Sequence, residues 1–135
     1  MRVLFLCTGN SCRSQMAEGW LRQLGLGGFE ALSAGTHPVG VNPRAVRSMA
    51  AVGVDISTQT SDSITDFLEC PPELVITVCD RAAETCPTFP GETEVLRWSF
   101  EDPAGAVGSE DEVMGEFARI RDQIREAIES WLASR

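Results

Sequence analysis

A cysteine, an arginine and several hydroxyls stand close together near the start of the chain, in Cys7-Thr8-Gly9-Asn10-Ser11-Cys12-Arg13-Ser14. The apolar run Val3-Leu4-Phe5-Leu6 leads in, and a helical pattern leads away from Ser14. Backbone N–H groups of a short loop between a strand and a helix can converge on an anion, and the helix start adds a positive dipole end. Arg13 can add a planar fork to two anion oxygens. The same field lowers the pKa of a thiol at the mouth of the loop, so Cys7 is expected as a thiolate at neutral pH. Ser14 is expected to donate a hydrogen bond to it. Gly9 allows, and Asn10 tolerates, the positive φ that a tight loop needs. Thr8, Gly9, Asn10, Ser11, Cys12, Arg13 and Ser14 thus form the expected binding loop for a tetrahedral oxyanion, with Cys7 its nucleophile. The bland alternative makes Cys7 a buried strand-end residue and Arg13 a surface one, but it leaves the strand–loop–helix setting unused.

Three further residues carry chemistry. Asp102 precedes Pro103 in a tight turn, where a carboxyl group could deliver a proton to a leaving oxygen. Asp-Pro is also an ordinary turn former. Cys79 and Cys86 bracket Asp80-Arg81-Ala82-Ala83-Glu84-Thr85. On an intact helix their Cα atoms lie about 10 Å apart, at ~1.5 Å per residue. A disulfide tolerates no more than about 7 Å. A Cys79–Cys86 bond therefore requires the segment to unwind. Pro87 and Pro90 keep its far end from forming a long helix. The alternative for both thiols is simple packing. Cys12 can be a mere backbone position in the loop, Cys70 before Pro71-Pro72 a structural residue, and His37, the single histidine, a loop residue.

These groups need elements to hold them. Val3–Leu6 reads as a strand buried on both faces. Met16, Ala17, Trp20, Leu21 and Leu24 recur at helical spacing, and Gly25 offers a stop. Phe29–Ser33 is expected as a second strand, closed by Gly35. Asn42-Pro43 caps a helix whose face is Ala45, Val46, Met49 and Ala50, ending near Gly53. A short helix is expected around Ser61–Leu68, then strands at Leu74–Val78 and Glu94–Trp98. Val113, Phe117, Ile120, Ile124, Ile128 and Trp131 mark a long final helix. Alternation of strands and helices implies an α/β domain over residues 1–135, three-layered, with a parallel sheet between helices on both faces. Ligands of such sheets bind beyond the carboxyl ends of the strands. Cys7 and Cys79 fall at two of those ends, and the last strand leads into Asp102.

The 135-residue length suits one domain with a real core. A net charge of −9 argues against nucleic acid or an anionic membrane as partner. The first apolar run is too short for a secretory signal, and no segment approaches transmembrane length. Five cysteines, an odd number in a chain that needs no staples, read as thiols of a reducing cytoplasm.

The segment Cys7 to Gly19, the Asp102-Pro103-Ala104-Gly105 loop and the pair Cys79/Cys86 together resemble thioredoxin-coupled arsenate reductase. That family shares the scaffold of low-molecular-weight protein tyrosine phosphatases, with four parallel strands in the order 2-1-3-4. The resemblance covers almost the whole chain. It implies that Cys7 attacks arsenate while Asp102 protonates the departing hydroxyl and Arg13 with the loop amides stabilises charge. Cys79 then attacks the Cys7 sulfur and arsenite leaves. Cys86 attacks Cys79, and thioredoxin reduces the resulting Cys79–Cys86 bond. The resemblance implies a monomer, arsenate or phosphate as bound oxyanion, no required cofactor, and in some members a structural potassium ion. The matching oxygen-bearing residues here are Asn10, Glu18, Ser33 and Asp62. Three alternatives stay open: a tyrosine phosphatase, a reductase coupled to a small thiol or glutaredoxin, and a non-enzymatic oxyanion or redox sensor. Ala104 and Gly105 stand where phosphatases of this kind usually carry aromatic residues.

Overall fold

The computed structural model describes residues 1–89 and 91–135. Pro90, expected to limit the helix after Cys79, lies outside the described residues. Four strands, β1 (Arg2–Cys7), β2 (Glu30–Gly35), β3 (Leu74–Thr77) and β4 (Glu94–Arg97), form one parallel sheet in the order β2-β1-β3-β4. Val3 to Cys7 and Leu74 to Thr77 are buried without alternation, so the two central strands are covered on both faces.

Helix α1 (Arg13–Leu24) follows β1, α2 (Pro43–Ala50) follows β2, α3 (Asp80–Thr85) follows β3, and α4 (Glu110–Ala133) closes the chain. The expected apolar faces are the ones that pack. Met16, Ala17, Trp20 and Leu21 of α1 are buried, as are Val113, Phe117, Ile120, Ile124 and Ile128 of α4. Trp131 is only partly buried and leans on Phe29, with ring centroids 5.4 Å apart. Asn42 caps α2 through Arg44 N–H, with Pro43 in its first turn. Ser109 and Glu112 close a reciprocal capping box at α4.

Two elements depart from expectation for identifiable reasons. β2 runs past Ser33 because Ala34 and Gly35 continue its register with Leu6 and Cys7. Gly35 both pairs with Cys7 and ends the strand, as expected. A Cβ there would stand 2.7 Å from Thr8 O and 2.9 Å from Asn10 N, so only glycine lets β2 pass so close to the loop. The expected helix at Ser61–Leu68 is one 3-10 turn, Ile64–Phe67. Its first residues are committed elsewhere. Gly35 N–H donates to Asp62 O, Asp62 N–H donates to Asn10 Oδ1, and Ser63 bridges Gly35. Extended backbone tied to a sheet end cannot coil.

Candidate active site

The loop after β1 is shaped by what happens to its carbonyls. Thr36 N–H donates to Cys7 O, His37 N–H to Thr8 O, Val39 N–H to Gly9 O and Asn42 N–H to Ser11 O. Gln15 Nε2 donates to Asn10 O at 3.0 Å, and Met16 N–H to Cys12 O at 2.9 Å. Every carbonyl from Cys7 to Cys12 is thus drawn outward. In a trans peptide the N–H of the next residue points the opposite way, so the amides of Gly9, Asn10, Ser11 and Cys12 turn to the concave side. The segment between β2 and α2 supplies most of these clamps. Nothing in its own sequence suggested that role.

Asn10 is the left-handed residue, with φ +46°. Gly9 has no positive φ, contrary to expectation. Its glycine makes room, since a Cβ would meet Val39 Cγ2 at 3.1 Å. Ser14 also departs from expectation. Its Oγ accepts a 2.9 Å hydrogen bond from Asn10 Nδ2 and shares none with Cys7 among the described residues. It holds the loop's shape rather than a charge on Cys7.

Arg13 begins α1 and reaches across the cleft. Its Nη1 donates to Phe100 O at 3.0 Å, and its Nη2 lies 3.7 Å from Asp102 Oδ2. Its Nε is the one buried side-chain polar atom without a hydrogen-bond partner among the described residues. An orphaned charged donor beside convergent amides is what an oxyanion would satisfy. Asp102 caps the Pro103–Gly105 turn through Ala104 N–H at 3.0 Å, and its side chain is half-exposed at the cleft rim. The turn-forming and proton-delivering readings of Asp102 are therefore compatible. The cleft encloses about 700 Å³ and is lined by Cys7, the loop, Cys79, Phe100 and Asp102.

Cys7, Cys12, Cys70, Cys79 and Cys86 are all free thiols. Cys7 and Cys79 are buried and share a hydrogen bond. Cys79 caps α3. Its Sγ accepts from Ala82 N–H at 3.4 Å, and Thr8 Oγ1 lies 3.6 Å away. The Cys7 bond, followed by the Thr8 and Ala82 donors and Arg13, holds Cys79 down at about 5 against the desolvation that opposes it. The same bond, with burial, pushes Cys7 well above the ordinary thiol value despite Arg13 and the Gly9 amide. The pair therefore titrates together and shares one proton. The thiolate expected on Cys7 is opposed by Cys79 and by burial, and favoured by Arg13 and the Gly9 amide.

Cys86 flanks the other end of α3, half-buried, with Sγ donating toward Pro87 O at 3.6 Å. Burial pushes its thiol up and Arg97 pulls it back. Burial also raises Cys12, to about 11, with the Asp102 charge adding to the effect. Cys70, expected as structural, is exposed, and its carbonyl accepts from Arg2 Nη1. His37 is an exposed loop residue, as expected.

Asn10, Glu18, Ser33 and Asp62 come together behind the loop. Asn10 Oδ1 accepts from Asp62 N–H, and Ser33 Oγ donates to Glu18 Oε1 at 2.7 Å. Arg22 stands on Glu18 Oε2, four residues along the same helix. Gln15, Gln59 and Arg22, absent from the sequence-derived site, belong to this cluster. Gln15 and Arg22 on α1 and Gln59 in a loop carry no signal that would have marked them.

The chain matches the family described as "Low molecular weight phosphotyrosine protein phosphatase" over residues 2–134. It belongs to that family. An arsenate reductase of Halalkalibacterium halodurans is 46% identical over 129 residues, spanning 96% of this chain and 93% of the relative. A solved arsenate reductase in the phosphate binding state superposes with a TM-score of 0.80 at 36% identity, covering 98% of this chain and 97% of that one. A thioredoxin-dependent arsenate reductase of Corynebacterium glutamicum superposes with a TM-score of 0.72 at 29% identity, covering 99% of this chain and 63% of that one. No helix among the described residues is long and apolar enough to cross a membrane.

Proposed function

We infer that the protein reduces arsenate to arsenite through Cys7, Cys79 and Cys86, with thioredoxin as the external reductant. One observation carries this reading: three free thiols lie in series, with Cys7 at the loop, Cys79 hydrogen-bonded to it, and Cys86 at the far end of α3. Relatives that share the scaffold and carry the name arsenate reductase support it.

Arsenate lies on the loop amides and the Arg13 fork. The Cys7 proton passes to Cys79 along their shared bond as Cys7 Sγ attacks arsenic. Asp102 protonates the oxygen that departs as water. Cys79 returns its proton, which leaves with the arsenic product, and attacks Cys7 Sγ. The sulfur–arsenic bonding pair stays on arsenic, which departs reduced as arsenite, and a Cys7–Cys79 disulfide remains. Cys86 displaces Cys7 from Cys79. On the intact α3 these two Cα atoms would be about 10 Å apart, beyond disulfide reach. The helix must therefore unwind, and the unwound segment offers the bond to thioredoxin. All three thiols come from one chain, so a monomer suffices. Free thiols in relay suit a reducing cytoplasm.

The test is arsenate turnover supported by thioredoxin, by glutaredoxin and by small thiols, with wild type and Cys86→Ser. Thioredoxin should sustain the wild type and fail with Cys86→Ser. Equal turnover of both by thioredoxin would sink the relay. Phosphate-ester hydrolysis exceeding arsenate turnover, and surviving loss of Cys79 and Cys86, would instead favour a phosphatase.

A further inference from the structure

We propose that the Arg22 guanidinium is the resident cation of the pocket behind the anion loop, neutralising Glu18 where the family resemblance implies potassium, and that it braces Asn10 through Gln59 and Gln15. Glu18 is the buried carboxylate of this pocket, and both of its oxygens are engaged. Ser33 Oγ donates to one and Arg22 Nη2 to the other. A metal ion on Glu18 would sit beside a guanidinium and have to displace it. The other carboxylates lining the pocket, Asp55 and Asp62, are not fully buried, and each already accepts hydroxyl hydrogen bonds, from Ser57 and Thr60. The donor set therefore does not fit a metal bound as the resemblance implies.

The guanidinium does more than neutralise. Arg22 Nη1 donates to Gln59 Oε1 at 2.8 Å. Gln59 Nε2 donates to Gln15 Oε1 at 2.8 Å and to Gln15 O at 3.0 Å. Gln15 is fully buried, and its Nε2 donates to Asn10 O and Thr60 O, each at 3.0 Å. Each amide is thereby oriented by the next, starting from a group that can only donate. The chain ends on the carbonyl of Asn10, the one left-handed residue of the loop. Outward pull on that carbonyl turns the Ser11 amide inward. Arg22, Gln59 and Gln15 are positioning residues, and none of them lines the cleft. The inference holds whichever oxyanion the loop takes.

The experiment compares thermal unfolding and inorganic phosphate binding of the reduced protein in matched potassium and sodium chloride. Wild type should unfold within about 1 °C of the same temperature in both salts, because a pocket that binds no potassium gains nothing by mass action. Arg22→Gln in sodium should lose about 3 °C or more and bind phosphate about fivefold more weakly, the lower end of typical coupling between sites. Potassium should restore at least half of both losses, and Arg22→Lys should keep wild-type behaviour. A wild type stabilised by potassium over sodium by more than about 1 °C overturns the proposal, and this comparison needs no variant. So does an Arg22→Gln protein that matches wild type, or one whose losses potassium leaves untouched.

Discussion

Asp102 Oδ2 stands 3.7 Å from Arg13 Nη2 across the mouth of the cleft, while Asp102 Oδ1 is fixed by Ala104 N–H. One oxygen is thus pinned by the turn and the other faces the group expected to hold the oxyanion. Asp102→Asn keeps the turn, since an amide oxygen still caps Ala104, but it cannot supply a proton. Arsenate turnover should fall by about 10²–10⁴-fold with little change in KM. Steady-state kinetics against arsenate checks this, and an unchanged kcat would remove Asp102 from the chemistry.

Arg13→Lys retains charge and loses the fork. Its Nε and Nη2 cannot be replaced by a single ammonium. Phosphate, as competitive inhibitor, should bind about 10–100-fold more weakly, the loss of one or two charge-assisted hydrogen bonds at about 1.4 kcal/mol per factor of ten. Isothermal titration with inorganic phosphate measures it directly. Affinity equal to wild type would show that Arg13 serves only Phe100 and Asp102.

The shared Cys7–Cys79 proton makes a pH prediction. Cys79 is held at about 5, so the pair carries a thiolate at neutral pH and loses it as pH falls through that value. Cys79 has a depressed folded pKa, so the stability it contributes is full above the ordinary thiol value of 9.0 and is lost as pH falls toward about 5. Cys7 is displaced upward, so its contribution has the opposite sign and is lost as pH rises above the ordinary thiol value. Ultraviolet titration of thiolate should show a step near 5 in wild type. In Cys79→Ala that step should vanish and the Cys7 step should come down, because its largest raising contact is gone. A wild type without thiolate below pH 7 would contradict the arrangement.

Gly35→Ala tests the strand–loop contact. Its methyl would press on Thr8 O at 2.7 Å and Asn10 N at 2.9 Å, both backbone atoms. Overpacking of this kind costs about 1–3 kcal/mol. Because the clash falls on the anion loop, phosphate affinity should drop along with the denaturation midpoint. Ile128→Ala in α4, fully buried near Trp131, which packs on Phe29 at the opposite end of the sheet from the loop, should cost about 2–5 kcal/mol with phosphate binding intact in the folded fraction. Chemical denaturation paired with phosphate titration separates the two. Equal loss of binding in both variants would mean that Gly35 acts only on stability.

Local patterns reached far along this chain. The unbroken apolar runs marked the two central strands. The 3.6-residue periodicity of α1 and α4 named the residues that pack. Cys7-x5-Arg13 placed a thiol and a guanidinium at either end of one loop, because strand, loop and helix are contiguous there and backbone geometry alone carries the arrangement. Spacing also foretold that Cys79 and Cys86 lie at opposite ends of a helix turn too long for a disulfide, a matter of rise per residue.

What no local pattern held was the set of contacts between distant segments. Most of the carbonyls that shape the loop are claimed by residues 36 to 42, which reach it only because β2 pairs alongside β1. The 61–68 segment lost its helix to the same sheet end. Cys7 and Cys79 titrate together because β1 and β3 are neighbours and their ends bring the two thiols together. Arg22 reached Gln59, and through it Gln15, across a gap of more than 30 residues. Sequence determined which chemical groups were present and which sat on contiguous backbone. Protonation, loop direction and the ionic balance behind the loop depend on distances of a few ångströms between groups far apart in the chain, and only packing sets those.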